Sequence, residues 1–146
     1  MPKKNAMPCA SEHTEQVALF RCFGLHKAKY PELAAAFAIP NGGHRFIQVA
    51  AKLQAEGVKA GVPDIFIPAP RGKLHGLFVE LKAETGRLSD AQEAMMRTLL
   101  TCGYACIWAR GWERAWKAIK GYLDSETVEL WPALTFEVYE VKSHAG

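Results

Sequence analysis

Apolar positions along the chain switch between a helical and an alternating period, and the order of the switches predicts an α/β fold. Ser11 is placed to cap a helix running to Phe23. Val17 and Phe20 lie three apart and Leu19 and Phe23 four apart, which gives that helix one apolar face, and Gly24 is expected to close it. Residues 34–39 form a short apolar run stopped by Pro40-Asn41-Gly42-Gly43, and read as a strand. Residues 46–56 read as a second helix with Ile47, Ala50, Ala51 and Leu53 inward and Gly57 at its end.

The middle of the chain changes period. Gly61-Val62-Pro63-Asp64 is turn chemistry feeding the β-branched and aromatic run Ile65-Phe66-Ile67, which Pro68 and Pro70 stop. After the loop Arg71-Gly72-Lys73 comes a second run, residues 76–82, and the short Pro/Gly connection predicts an antiparallel pair. Alternation puts Leu77, Val79 and Leu81 on one face and Phe78, Glu80 and Lys82 on the other. Ser89-x-x-Gln92 is a capping box, and the helix after it is expected to turn Ala91, Met95, Thr98, Leu99 and Cys102 inward. Gly103 ends it, residues 104–108 read as a buried strand, and Trp112, Ala115, Trp116, Ile119 and Leu123 form the stripe of a last helix. Residues 135–141 alternate weakly and suggest an edge strand.

Composition narrows the class. The chain has 146 residues, 49% hydrophobic and 23% charged, which suits one domain with an ordinary core. No apolar run approaches the ~20 residues of a membrane span, and residues 1–10 lack the apolar core of a secretory signal and read as a flexible tail. The four cysteines, Cys9, Cys22, Cys102 and Cys106, contain no C-x-x-C pair, so reduced thiols in a cytoplasmic protein are expected rather than a zinc site or a disulfide framework. Neither G-x-x-x-x-G-K-[ST] nor a strand-linked G-x-G-x-x-G occurs, which weighs against a nucleotide cofactor.

Three charges interrupt the apolar strands. Asp64 opens one, and Glu80 and Lys82 share a face of the next. Charged groups on central strands are costly unless paired or metal-bound. Two carboxylates beside a lysine suit phosphodiester hydrolysis: a divalent cation relieves their repulsion and acidifies a water, and the lysine neutralises developing charge. Spacing alone leaves a second reading open, in which Asp64 caps a turn and Glu80 and Lys82 form a half-exposed pair on an edge strand.

The surrounding motifs favour the first. Gly61-Val62-Pro63-Asp64, then Glu80-Leu81-Lys82 sixteen residues after Asp64, then Gly86-Arg87-Leu88-Ser89 and Gln92, resemble the VRR-NUC nucleases of the PD-(D/E)xK superfamily. Glu12 to Gln16 is similar to that family's E-x-x-x-Q helix, and Pro40-Asn41-Gly42-Gly43 with Arg45 to its P-N-G-G-x-R loop. Ala51-x-Leu53 with Glu56-Gly57, Gly103-Tyr104 and the Trp112 helix extend the likeness over about residues 11–123. The resemblance implies a restriction-endonuclease-like α/β core, a central mixed β-sheet flanked by α-helices. It implies Mg²⁺ or Mn²⁺ held by Asp64, Glu80 and the backbone carbonyl of Leu81, with Glu12 as the first-helix acid near the metal, Lys82 as the catalytic lysine and Gln92 lining the site. Glu15 competes with Glu12 for that role, with the spacing to Gln16 favouring Glu12; Gln92 also has a place in the capping box, and the two roles are compatible. Short stand-alone members of the family imply a homodimer that cleaves four-way (Holliday) DNA junctions, in a form that suits a phage. The alternatives are a nuclease for flaps or other DNA structures, and a catalytically idle DNA-binding module.

Phosphate contacts are expected from Asn41, Gly42, Gly43, Arg45, Lys52, Lys59, Arg87, Arg110, Arg114 and Lys117 around the site mouth, with no base-reading module in view. His13 and His44 read as solvent-facing, His44 with a second possibility of touching phosphate. Leu130, Trp131, Leu134 and Phe136 are candidates for a dimer contact. The net charge of +3 divides unevenly: Asp124, Glu126, Glu129, Glu137 and Glu140 against Lys142 leave residues 124–146 at −4 and residues 1–123 at +7. A basic nuclease-like segment, 11–123, thus precedes an acidic extension, 124–146, read as an edge strand or a dimer contact.

Overall fold

A computed structural model describes residues 10–40 and 47–125, without the side chains of Ile47 and Gln48. The elements are α1 (Glu12–His26), a 3₁₀ turn (Pro31–Ala35), β1 (Phe37–Ala38), α2 (Ile47–Ala55), β2 (Ile65–Ile67), β3 (Leu77–Lys82), α3 (Asp90–Thr101), β4 (Ala105–Arg110) and α4 (Trp112–Asp124). The strands form one mixed sheet in the order β1-β2-β3-β4. β1–β2 and β2–β3 are antiparallel, with Ile65 opposite Val79, and β3–β4 is parallel, with Lys82 opposite Arg110. A parallel pair needs a long crossover, which α3 supplies. The α/β class with helices flanking a mixed sheet is the one the sequence predicts.

The two faces of β3 divide the core as the alternation requires. Leu77, Val79 and Leu81 join Leu19 and Phe23 of α1 and Ala115, Ile119 and Tyr122 of α4 in the larger cluster. On the other face, Met96 of α3 packs with Cys106 and Trp108, flanked by Phe78, Leu88, Leu99 and Leu100. Burial pushes the Cys106 thiol up to about 12, so it stays protonated, while Cys102 is exposed. Among the described residues, no helix is long and apolar enough to cross a membrane.

Several local expectations are corrected. α1 runs past Gly24 to His26, whose Nδ1 lies 2.9 Å from the Cys22 carbonyl and whose ring packs 4.7 Å from Trp116. These contacts outweigh the ~1 kcal/mol cost of a helical glycine. Its inward stripe is Leu19, Cys22 and Phe23, which leaves Val17 on the surface. Residues 34–39 are mostly not strand, because Pro31 starts a 3₁₀ turn and only Phe37 and Ala38 pair with β2. The helix at residues 46–56 exists, but Ala50 and Ala51 are exposed and only Leu53 is half-buried. α3 is turned by one position: Gln92, Met96, Leu99 and Leu100 face in, while Ala91, Thr98 and Cys102 are exposed. The weak strand at residues 135–141 lies outside the described residues, as do the four candidate dimer contacts.

Candidate active site

β3 delivers two charges to the α3 side of the sheet at its C-terminal end. Glu80 is 2% exposed and Lys82 8% exposed, so neither is an edge-strand surface pair. The Lys82 Nζ lies 3.1 Å from the Glu80 Oε1. Asp64, one residue before β2, is brought alongside by the antiparallel pairing. Its Oδ2 accepts a hydrogen bond from the Leu81 N–H at 2.9 Å, and its carbonyl accepts from the Ile39 N–H at 2.6 Å. The Asp64 side chain therefore does not cap its own turn.

Gln92 serves two structures with one amide. Its Oε1 accepts from the Ser89 N–H at 2.9 Å, completing the capping box of α3, and its Nε2 donates to the Glu80 Oε1 at 2.7 Å. The helix cap and the contact to Glu80 coexist. Gly61 seats this helix. It has φ +85°, and a Cβ there would collide with the Ala91 carbonyl oxygen and the Gln92 N. Gly86 does the same for the lysine, since a Cβ there would lie 3.1 Å from the Lys82 Cβ.

The first helix separates its two acids. The Glu12 Oε1 is 3.9 Å from the Lys82 Nζ, whereas the Glu15 Oε2 accepts from the Trp112 N–H at 2.7 Å, at the start of α4. Two carboxylates, those of Glu80 at 3.1 Å and Glu12 at 3.9 Å, thus flank the Lys82 ammonium, with Asp64 held on the neighbouring Leu81 N–H. Burial pushes the Glu80 carboxyl up to about 7, the Asp64 charge adds to the rise, and Lys82 opposes it. Burial also raises Asp64, against the Leu81 N–H. The second oxygen of Glu80, Oε2, is buried and has no hydrogen-bond partner. A buried acceptor beside a second carboxylate suits a cation that both carboxylates approach. Among the described residues, no three His, Cys, Asp or Glu side chains converge into a closed metal cage. One or two carboxylates are what Mg²⁺ commonly takes from a protein, with water and phosphate oxygens completing its shell.

The expected phosphate contacts are scattered. Arg110 donates from Nε to the Gly86 carbonyl at 2.9 Å and stacks 5.2 Å over Trp108. Arg114 reaches Glu84 at 3.5 Å, and both arginines line a pocket of about 240 Å³ with Glu15, Glu84 and Trp112. Lys52 pairs with Glu56 at 3.9 Å on α2, and Lys59, Arg87 and Lys117 are exposed. Asn41, Gly42, Gly43, His44 and Arg45 lie outside the described residues. The roles of Glu15 and Gly61 are not legible in the sequence. Glu15 meets a residue 97 positions away, and the pressure on Gly61 comes from a helix thirty positions downstream.

The chain is an α/β domain whose mixed sheet carries Glu80 and Lys82 on an inner strand, with Asp64 beside them. The VRR-NUC domain matches residues 11–112, and the chain belongs to that family. A solved structure titled "VRR_NUC domain protein" is similar over 79% of this chain and 89% of its own, with 28% sequence identity and a TM-score of 0.68. The comparison with curated proteins gave no match.

Proposed function

We propose that this protein is a divalent-metal-dependent endodeoxyribonuclease that hydrolyses branched DNA, four-way junctions foremost, as a homodimer in the cytoplasm of a bacterial or phage-infected cell. The observation that carries the reading is the buried, unpartnered Oε2 of Glu80 beside Asp64. Asp64, Glu80 and the Leu81 carbonyl would hold Mg²⁺ or Mn²⁺, with Glu12 close by. When bound, the cation supplies charge neutralisation at the phosphate and an acidified water.

The chain's own groups do the rest. Gln92 and Lys82 both contact the Oε1 of Glu80, so Oε2 is the oxygen that would be left to a cation. Lys82 is the nearest ammonium to the carboxylates and is placed to stabilise charge on a phosphate oxygen or to hold the attacking water. Outside the cluster, the basic residues Arg45, Lys52, Lys59, Arg87, Arg110, Arg114 and Lys117 would hold the backbone phosphates, with Asn41, Gly42 and Gly43 offering polar backbone and amide contacts. Two sites acting on the symmetric strands of a junction call for a two-fold dimer.

A cleavage panel tests the reading. Four-way junction, flap, splayed arm and linear duplex are incubated with the protein and Mg²⁺ or Mn²⁺. The expected result is paired cuts in the junction, abolished by Asp64→Ala, Glu80→Ala or Lys82→Ala. No cutting of any substrate would overturn it, and calorimetry showing no divalent-cation binding would then point to an idle DNA-binding module. Sedimentation showing only monomer at micromolar concentration would overturn the dimer.

A further inference from the structure

A chain of contacts closes on Lys82 from behind. Its carbonyl accepts from the Gly111 N–H at 3.0 Å, which fixes the start of α4 to the end of β3. The next N–H, that of Trp112, donates to the Glu15 Oε2 at 2.7 Å. Gly111 has φ +84°, and a Cβ there would lie 3.6 Å from that same oxygen, so α1 approaches α4 closely at this point. Glu12 lies one turn before Glu15 on α1, and it returns to the Lys82 Nζ at 3.9 Å. One lysine is therefore held at both ends, its carbonyl by α4 and its ammonium by Glu80 at 3.1 Å, with Glu12 of α1 closing over it at 3.9 Å. Glu15 is the side chain that ties those two helices together at the site.

From this closed circuit we infer that Glu15 is a positioning residue, which sets the reach of α1 so that Glu12 covers Lys82. The Glu15 carboxylate is engaged by the α4 amide of Trp112 and makes no ion pair with Lys82. Its action therefore depends on its length and its acceptor oxygen, not on its charge. The inference rests on the nuclease reading only in naming Lys82 as the reacting lysine.

The test reads Lys82 directly and needs no DNA cleavage, so its failure and a failure to cut DNA are separate results. The full chain is exposed to acetic anhydride, and acetylation of Lys82 is followed by mass spectrometry, with exposed Lys120 as the internal reference. Glu15→Gln keeps an acceptor oxygen at the same reach and is expected to leave Lys82 as protected as in the parent. Glu15→Asp keeps the charge but is one methylene short, and is expected to lose the protection to the level of Glu12→Ala. Joining Glu15→Asp to Glu12→Ala is expected to add nothing further, because both act through one contact. Protection kept in Glu15→Asp, protection lost in Glu15→Gln, or additive losses in the double variant would each overturn the inference. Circular dichroism of each variant, matched to the parent, separates a local release from unfolding, and release only on unfolding would also overturn it.

Discussion

Gln92 grips Glu80 with one end of its amide and the first turn of its own helix with the other, 2.7 Å to the Glu80 Oε1 and 2.9 Å from the Ser89 N. The orientation of the amide is settled by the pair, since Ser89 offers a donor and Glu80 offers acceptors. Two variants separate the roles. Ser89→Ala removes the hydroxyl that caps Gln92 N, and is expected to cost about 1 kcal/mol of stability with little loss of cleavage. Gln92→Ala is expected to cost a similar amount and to lower cleavage severalfold more, because Glu80 also loses a partner. Thermal melts alongside single-turnover rates check the split.

Glu80→Gln is expected to abolish cleavage and to raise the melting temperature of the cation-free protein. The substitution removes a buried charge that Asp64 repels while keeping the shape of the side chain. Lys82→Met keeps the stem and loses the ammonium, with cleavage expected to fall roughly a hundredfold or more. A cation-free melt and a cleavage assay on the same preparation decide both.

The pH dependence has a definite sign. Glu80 titrates at about 7 in the folded protein against an ordinary 4.5, so folding favours its protonated form. That contribution is present below about 4.5 and is lost as pH rises through about 7, so the cation-free protein should lose stability across this window. Glu80→Gln should flatten the loss. Cation binding should release a proton below about 7 and none well above it, readable by calorimetry in buffers of different ionisation enthalpy.

Gly61→Ala is expected to destabilise by about 1–3 kcal/mol, since the residue sits at φ +85° under the first turn of α3. Cleavage should fall with it, because Gln92 rides on that turn. Chemical denaturation with an unchanged m-value would report a native-state effect.

Arg87→Ala, on the exposed turn after β3, is expected to weaken binding to all DNA substrates alike and to reduce the salt slope by about one. Fluorescence anisotropy across a salt series reads both.

The legible part of this molecule is local. The capping box of α3, the alternation of β3 and the stripe of α4 follow from short spacings, and each forms as read. Asp64, Glu80, Lys82, Gln92 and Glu12, singled out from the motif order, lie together in the fold. What escaped depends on partners far along the chain. The α3 stripe was off by one position because Gln92, polar by type, turns inward to reach a buried carboxylate, a choice that apolar periodicity ignores. Ala50 and Ala51 fit an inward stripe yet lie on the surface, because period does not say what a helix packs against. The spacing to Gln16 favours Glu12 beside Lys82, but the partner of Glu15 lies on α4, 97 positions away, beyond the reach of local spacing.

The cluster draws on residues 12, 64, 80, 82 and 92, carried by two helices, a turn and a strand. Until α1, the β2–β3 pair and α3 have met, Asp64 and Glu80 are ordinary hydrated acids that cost the chain nothing. Their repulsion and desolvation belong to the folded state, where burial raises both carboxyls and the Asp64 charge adds to the rise at Glu80. Any native-state opening that lifts α3 from β3 relieves the penalty at once. Amide hydrogen exchange in the first turn of α3 should therefore run faster than in β3, and slow selectively once the two carboxylates are neutralised.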